Sequence, residues 1–184
     1  YLFKREIVDR DDLIPIHFAI PKEKVISKVM PKTNYIAGII PADTNSPNRK
    51  THSYEKEKDY YKGYQDSYFA FTCKKGGWDC LRHYEIMANG CIPIFTDIEL
   101  CPRNTLTNLP KTILQDVKRL NFLKLPKDVF GKDDIDPNYK YINTNEFRSG
   151  LCNVIADLVL NYTRNRLTTE ALADYFIGKI YENS

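Results

Sequence analysis

The sequence predicts an α/β protein: a Rossmann-like parallel sheet flanked by helices, with a helical C-terminus. Three observations predict it. "YIAGII" (35–40), "YFAFTC" (68–73) and "CIPIF" (91–95) are short uncharged apolar runs, the pattern of strands covered on both faces. Helical segments separate them, which implies parallel strands joined by crossover helices. The C-terminal region carries helical periodicity. At 184 residues, 42% hydrophobic and 28% charged, the chain is long enough for one domain over 1–184 with a full core.

The elements follow in order. "YLF" and "LIPIHFAI" lie either side of the charged turn "DRDD" (9–12), giving two short strands, or one strand and an extended segment. "PADTNSPNRKTHS" after the first long strand is a loop, rich in Pro, Asn, Ser and Thr. "YEKEKDYYKGYQDS" is a surface helix despite Gly63. A helix over 78–89 stops at Gly90. Pro93 keeps the strand after it short, or makes it begin past the proline. "KTILQ" (111–115) reads as a strand, "DVKRLNFLKL" (116–125) as a helix and "GKDDIDPNYK" (131–140) as a charged loop. Asn143 caps a helix with Glu146 as its capping-box partner, and that helix runs to about Asn161. A last helix from about Thr168 places Leu172, Phe176 and Ile180 on one stripe.

Composition excludes several classes. A net charge of +3, spread along the chain, does not describe a nucleic-acid partner. No apolar run reaches the roughly 18 residues of a membrane span, so there is no membrane segment in this chain. "YLFKRE", without a methionine, reads as the start of a piece excised from a longer chain, whose membrane attachment stays open. Five cysteines, an odd count with no CxxC spacing, argue against a disulfide framework and a zinc site. They read as small core residues in a reducing compartment, cytoplasmic or cytosol-facing. The sequon Asn161-Tyr162-Thr163 falls in a helical pattern and is discounted.

The richest stretch is "KKGGWDCLRHYEIMANGCIPIF" (74–95). It lies beyond the carboxyl end of "YFAFTC", where open α/β sheets bind ligands. Gly76 and Gly77 allow close backbone approach and positive φ. The helix start offers free N–H groups and a positive dipole end. Lys74 and Lys75 add charge. The turn is built like a phosphate cradle, though it is neither a Walker loop nor GxGxxG. Trp78, Arg82, Glu85 and Asn89 share one helix face, and Leu81, Tyr84 and Ala88 form the neighbouring buried stripe. Arg82 is within reach of a phosphate, and Glu85 of a ribose diol. Each has a plainer reading: an i, i+3 surface ion pair for Arg82 and Glu85, solvated charge for the lysines, core for Trp78, a simple turn for the glycines and a packed position for His83.

"SYFAFTCKKGGWDCLRHYEIMANGCIPIF", with "LPK" at 109–111 as a weaker echo, resembles the donor-binding segment of GT-B glycosyltransferases, in particular the exostosin-like family. The resemblance covers roughly 67–110. It implies that this chain is the nucleotide-sugar-binding half of such an enzyme, a hexosyl- or pentosyltransferase that moves a sugar from a nucleoside diphosphate to a hydroxyl of a glycan or glycosylated acceptor. Glu85 would hold the ribose, Arg82 the diphosphate, and Lys74, Lys75, Gly76, Gly77 and Trp78 the phosphate pocket, with Lys4 and Arg5 meeting the diphosphate from an early loop. UDP and GDP are the leading donor nucleotides. No cofactor and no metal are implied, since no DxD-type cluster is in place. Many retaining members carry a second carboxylate eight residues before the ribose-binding Glu. Here that residue is Gly77, which implies inversion. Inversion needs a general base, and none is identified; Asp97 is a poor second choice. Two alternatives stand beside this reading: a non-catalytic nucleotide- or glycan-binding Rossmann-like module, and a ligand-free interaction domain.

Overall fold

A computed structural model describes residues 2–7, 12–38, 54–127, 135–136 and 139–182. These form five α-helices and two small parallel sheets, ending in two consecutive helices. Strands β1 (Phe3–Lys4) and β2 (Ile14–Pro15) pair in parallel. Strands β3 (Asn34–Ile36), β4 (Ser67–Thr72) and β5 (Ile92–Phe95) make the main sheet, in that order and all parallel. Helix α1 (Glu57–Gln65) precedes β4, and α2 (Leu81–Ala88) crosses from β4 to β5. Helices α3 (Lys111–Lys118), α4 (Ser149–Arg166) and α5 (Thr169–Glu182) complete the described chain.

The alternation of β4 explains its uncharged sequence. Phe69 and Phe71 point to one face, where Val117 of α3 and Cys152 and Ala156 of α4 cover them. Ala70 points to the other, where its small side chain leaves room for Tyr64 of α1 and Ile86 of α2. Phe95 packs on that second side with Trp78, Tyr84 and Met87. Each large apolar side chain buried this way contributes roughly 1.5–3 kcal/mol. Pro93 sits within β5, opposite Ala70. The strand tolerates it because β5 is short and, among the described residues, at the edge of the sheet.

Helix α2 stops where the sequence indicates. Gly90 has φ 63°, the left-handed conformation of a helix terminator, and the Cys91 N–H closes on the Ile86 carbonyl at 3.1 Å. A side chain on Gly90 would also press on Val29 and Ile26.

Several expectations are corrected. "KTILQ" is not a strand: it opens α3, which buries Leu114 and Val117 at helical spacing. "DVKRLNFLKL" is helical only to Lys118; beyond it Leu123 bridges Ile142 in antiparallel fashion. The Asn143–Glu146 capping box does not form. The Glu146 N–H bonds the Asn143 carbonyl in a turn, and α4 begins at Ser149 and runs to Arg166. Helix α2 begins at Leu81 rather than 78, because tertiary bonds hold the backbone of the preceding turn. Leu81 is 47% exposed, so the buried face is His83, Tyr84, Ile86, Met87 and Ala88. Residues 9–11, the loop 41–53 with Arg49 and Lys50, and most of 131–140 lie outside the described residues.

Helix α5 attaches the N-terminal sheet. Phe176 stacks on Phe3 at 4.1 Å, and the Tyr175 hydroxyl donates to the Pro15 carbonyl at 2.8 Å. Ile20 exchanges backbone bonds with Leu167 and Thr169, at 3.0 and 3.1 Å. Among the described residues no helix is long and apolar enough to cross a membrane.

Candidate functional site

The turn between β4 and α2 is held by two carboxylates of the chain itself. The Lys74 N–H lies 3.1 Å from both oxygens of Asp97, which follows β5, so the ends of the two strands are tied together. The Asp79 N–H donates to Oε1 of Glu6 at 2.9 Å. A Cβ on Gly77 would lie only 2.8 Å from that same Oε1. Gly77 thus leaves room for the Glu6 carboxylate, which a side chain there would displace. Positive φ plays no part: among the described residues Gly90 is the glycine with positive φ, which corrects the conformational reason expected for Gly76 and Gly77. A side chain at Gly76 would meet open space. Lys74 and Lys75 are exposed.

Trp78 is 7% exposed and packs on Phe95, with the Lys74 ammonium 5.2 Å from its ring centre. It braces the turn from the core side. The buried Asp79 accepts the Phe18 N–H at 2.7 Å and the Tyr84 hydroxyl at 2.8 Å. Burial pushes its carboxyl pKa up, with those two bonds opposing. Burial likewise raises Asp97, against the Lys74 N–H. The Arg5 guanidinium stacks 4.0 Å over Phe18, so the first segment meets the same turn through Arg5, Glu6 and Phe18. Lys4 is an exposed strand residue on β1.

Two charged side chains of α2, Arg82 and Glu85, face this turn's end of the sheet without pairing with each other. Arg82 is partly buried, and its Nε and Nη1 are enclosed without a hydrogen-bond partner. An unpaired buried cationic donor is costly, and such groups mark positions where something else completes the bonding. Glu85, one turn on, does not pair with Arg82. Its Oε2 accepts the Tyr60 hydroxyl at 2.9 Å instead. The plainer reading of the two as an i, i+3 ion pair does not hold: both are half-buried on α2, and neither neutralises the other. Asn89 on the same face is structural: it accepts from Gln65 Nε2 and donates to the Glu85 carbonyl, both at 2.8 Å.

His83 cannot act as a base here. Its Nε2–H donates to the Trp78 carbonyl at 2.9 Å, so Nδ1 is the acceptor for the Thr72 hydroxyl at 2.8 Å. It stacks on Phe95, and full burial lowers its pKa to about 4. Sequence reasoning missed Tyr60, Tyr64, Glu6 and Asp79 as parts of this site. The four-residue spacing of Tyr60 and Tyr64 on α1 was the available signal for the tyrosines; the two acids had none.

A groove of about 420 Å³ lies between the 22–26 segment and α1, lined by Lys24, Glu57, Tyr61, Gln65 and Asn89. It does not include Arg82 or Glu85, and its Lys24 and Glu57 already pair with one another. Among the described residues no three His, Cys, Asp or Glu side chains gather as a metal site. No protein-family model, curated protein or solved structure matches the chain.

Proposed function

We propose that the chain is the nucleotide-sugar-binding half of a GT-B glycosyltransferase of exostosin-like type, holding a nucleoside diphosphate against the start of α2. The observation that carries this reading is the Arg82 guanidinium, with Nε and Nη1 enclosed and unpartnered one turn before Glu85, whose carboxylate accepts from Tyr60 and not from Arg82. A diphosphate supplies the acceptor oxygens that Arg82 Nε and Nη1 lack, in charge-assisted hydrogen bonds. Glu85 then receives a ribose hydroxyl on its remaining lone pairs. Lys75 adds charge from the turn.

In the transfer, an acceptor hydroxyl oxygen attacks the anomeric carbon while the bond to the diphosphate oxygen breaks. The diphosphate leaves with the electron pair, and cations at the α2 end of the turn stabilise that charge. The acceptor proton passes to a base outside the groups described above. The unpaired state of all five cysteines fits a reducing, cytosolic setting for this half.

A second reading, a nucleotide-binding module without turnover, draws on a different observation. Two N–H groups of the turn are already taken by Asp97 and Glu6, and the nearest histidine is buried and neutral.

A thermal-shift screen with UDP, GDP, ADP and their sugars tests the proposal. A bound diphosphate at 100 times its Kd adds about 2.7 kcal/mol of stability. The reading predicts a raised midpoint with at least one diphosphate and a smaller rise with the free nucleoside at equal concentration. No shift with any diphosphate contradicts it. Sugar transfer by the longer parent chain separates enzyme from binding module.

A further inference from the structure

Resting on the reading of Arg82 as the anion-binding group, we propose that Tyr60 is a positioning residue: its hydroxyl holds Glu85 away from Arg82, so that carboxylate and guanidinium meet the ligand separately. Opposite charges three residues apart on a helix are neighbours and pair readily. Here the incentive is larger than on an open surface, because two guanidinium nitrogens are enclosed and partnerless. Yet no ion pair joins Arg82 and Glu85.

A hydrogen-bond relay on the adjacent helix accounts for this. The Tyr64 hydroxyl donates to the Tyr60 hydroxyl at 2.9 Å, and the Tyr60 hydroxyl donates to Glu85 Oε2 at 2.9 Å. With Tyr64 supplying its acceptor bond, the Tyr60 proton is committed to the carboxylate. Tyr64 is fully buried against Ala70 and Ile86, so the relay is anchored in the core between α1 and the sheet. The Tyr60 ring meets the Tyr64 ring edge-on at 4.9 Å, which fixes its direction. Burial pushes the Tyr60 pKa up to about 12, so the hydroxyl stays a donor at neutral pH. Removing that single oxygen frees Glu85 to turn onto Arg82 and neutralise it. The relay therefore serves binding by preventing an internal ion pair.

Isothermal titration with inorganic pyrophosphate tests this, since the probe has no ribose and senses Arg82 without Glu85 as a partner. Wild type, Arg82→Ala, Tyr60→Phe and the double variant Tyr60→Phe/Glu85→Gln are compared. Tyr60→Phe is expected to weaken pyrophosphate about tenfold, the scale of one charge-assisted contact. The double variant is expected to regain most of that loss, because a neutral Gln no longer quenches the guanidinium. Two results overturn the proposal: Tyr60→Phe binding like wild type, or the double variant staying as weak as Tyr60→Phe. Wild-type binding that is absent, or unchanged in Arg82→Ala, overturns the underlying reading of Arg82 and this inference with it.

Discussion

The carboxylate of Glu6 fills the space that a side chain on Gly77 would need, with only 2.8 Å between an added Cβ and Oε1. The contact joins the N-terminal segment to the turn that opens α2. Gly77→Ala should displace Glu6 from the Asp79 N–H and cost about 1.5–3 kcal/mol, the range for a hydrogen bond to a charged group. In a Glu6→Ala background the same substitution should cost little, since the obstacle is gone. Urea denaturation of the four-member cycle reads this out. Additive effects, with no coupling beyond about 0.5 kcal/mol, would show that Gly77 is required for another reason.

Arg82 predicts a conflict between stability and binding. Its enclosed, unpartnered nitrogens burden the ligand-free fold. Arg82→Met keeps the bulk and removes the charge, so the ligand-free protein should gain about 1–2 kcal/mol while diphosphate binding is lost. Thermal and chemical denaturation without ligand measure the first effect. A destabilised Arg82→Met protein would mean that the guanidinium is a structural group.

His83 predicts a pH dependence. Its pKa falls from 6.5 in the unfolded chain to about 4 in the fold because burial disfavours the cation. Between those values the unfolded state holds a proton that the native state refuses. The histidine's contribution is thus fully present above pH 6.5, declines as pH falls through that window and is gone below about 4, a span worth roughly 3 kcal/mol. His17, also lowered by burial, acts in the same direction. Asp79 and Asp97, raised by burial, act in the opposite one. His83→Asn isolates the term: its stability should be lower at neutral pH and flatter between pH 6.5 and 4. An unchanged slope would place the proton elsewhere.

Asp79 joins elements distant in sequence. Its two oxygens satisfy the Phe18 N–H and the Tyr84 hydroxyl, both inside the fold. Asp79→Ala strands both donors and should cost about 2–4 kcal/mol, whereas Asp79→Asn, which keeps an acceptor oxygen, should cost less. Equal costs for the two variants in denaturation would show that the negative charge matters more than the count of acceptors.

The legible parts of the fold are those where burial and local pattern agree. "YFAFTC" and "CIPIF" are covered on both faces, so their sequences carry no charge and their strand character shows. Gly90 follows α2 directly, and its terminator role is local. "KTILQ" was misleading because its apolar residues form a short run; the helix shows only when Val117, outside the run, is added to Leu114. Asn143 and Glu146 match a capping pattern, yet the chain spends them in a turn, since the Asn143 N–H bonds the Phe122 carbonyl at 2.8 Å. At the site, Arg82 and Glu85 were visible as spacing on one helix. What keeps them apart was not, because Tyr60 reaches Glu85 across twenty-five residues and another helix. Nor does any local pattern place Glu6 against Gly77, seventy residues away.

The central claim is that α2 reads a nucleoside diphosphate with Arg82 on the phosphates and Glu85 on the ribose. Isothermal titration of UDP and of uridine against wild type, Arg82→Ala and Glu85→Ala tests it most directly. Arg82→Ala should weaken UDP by about tenfold or more and leave uridine unchanged, and Glu85→Ala should weaken both ligands by about 1.5–3 kcal/mol. Equal losses of UDP and uridine in Arg82→Ala, or undiminished uridine binding in Glu85→Ala, would contradict the account.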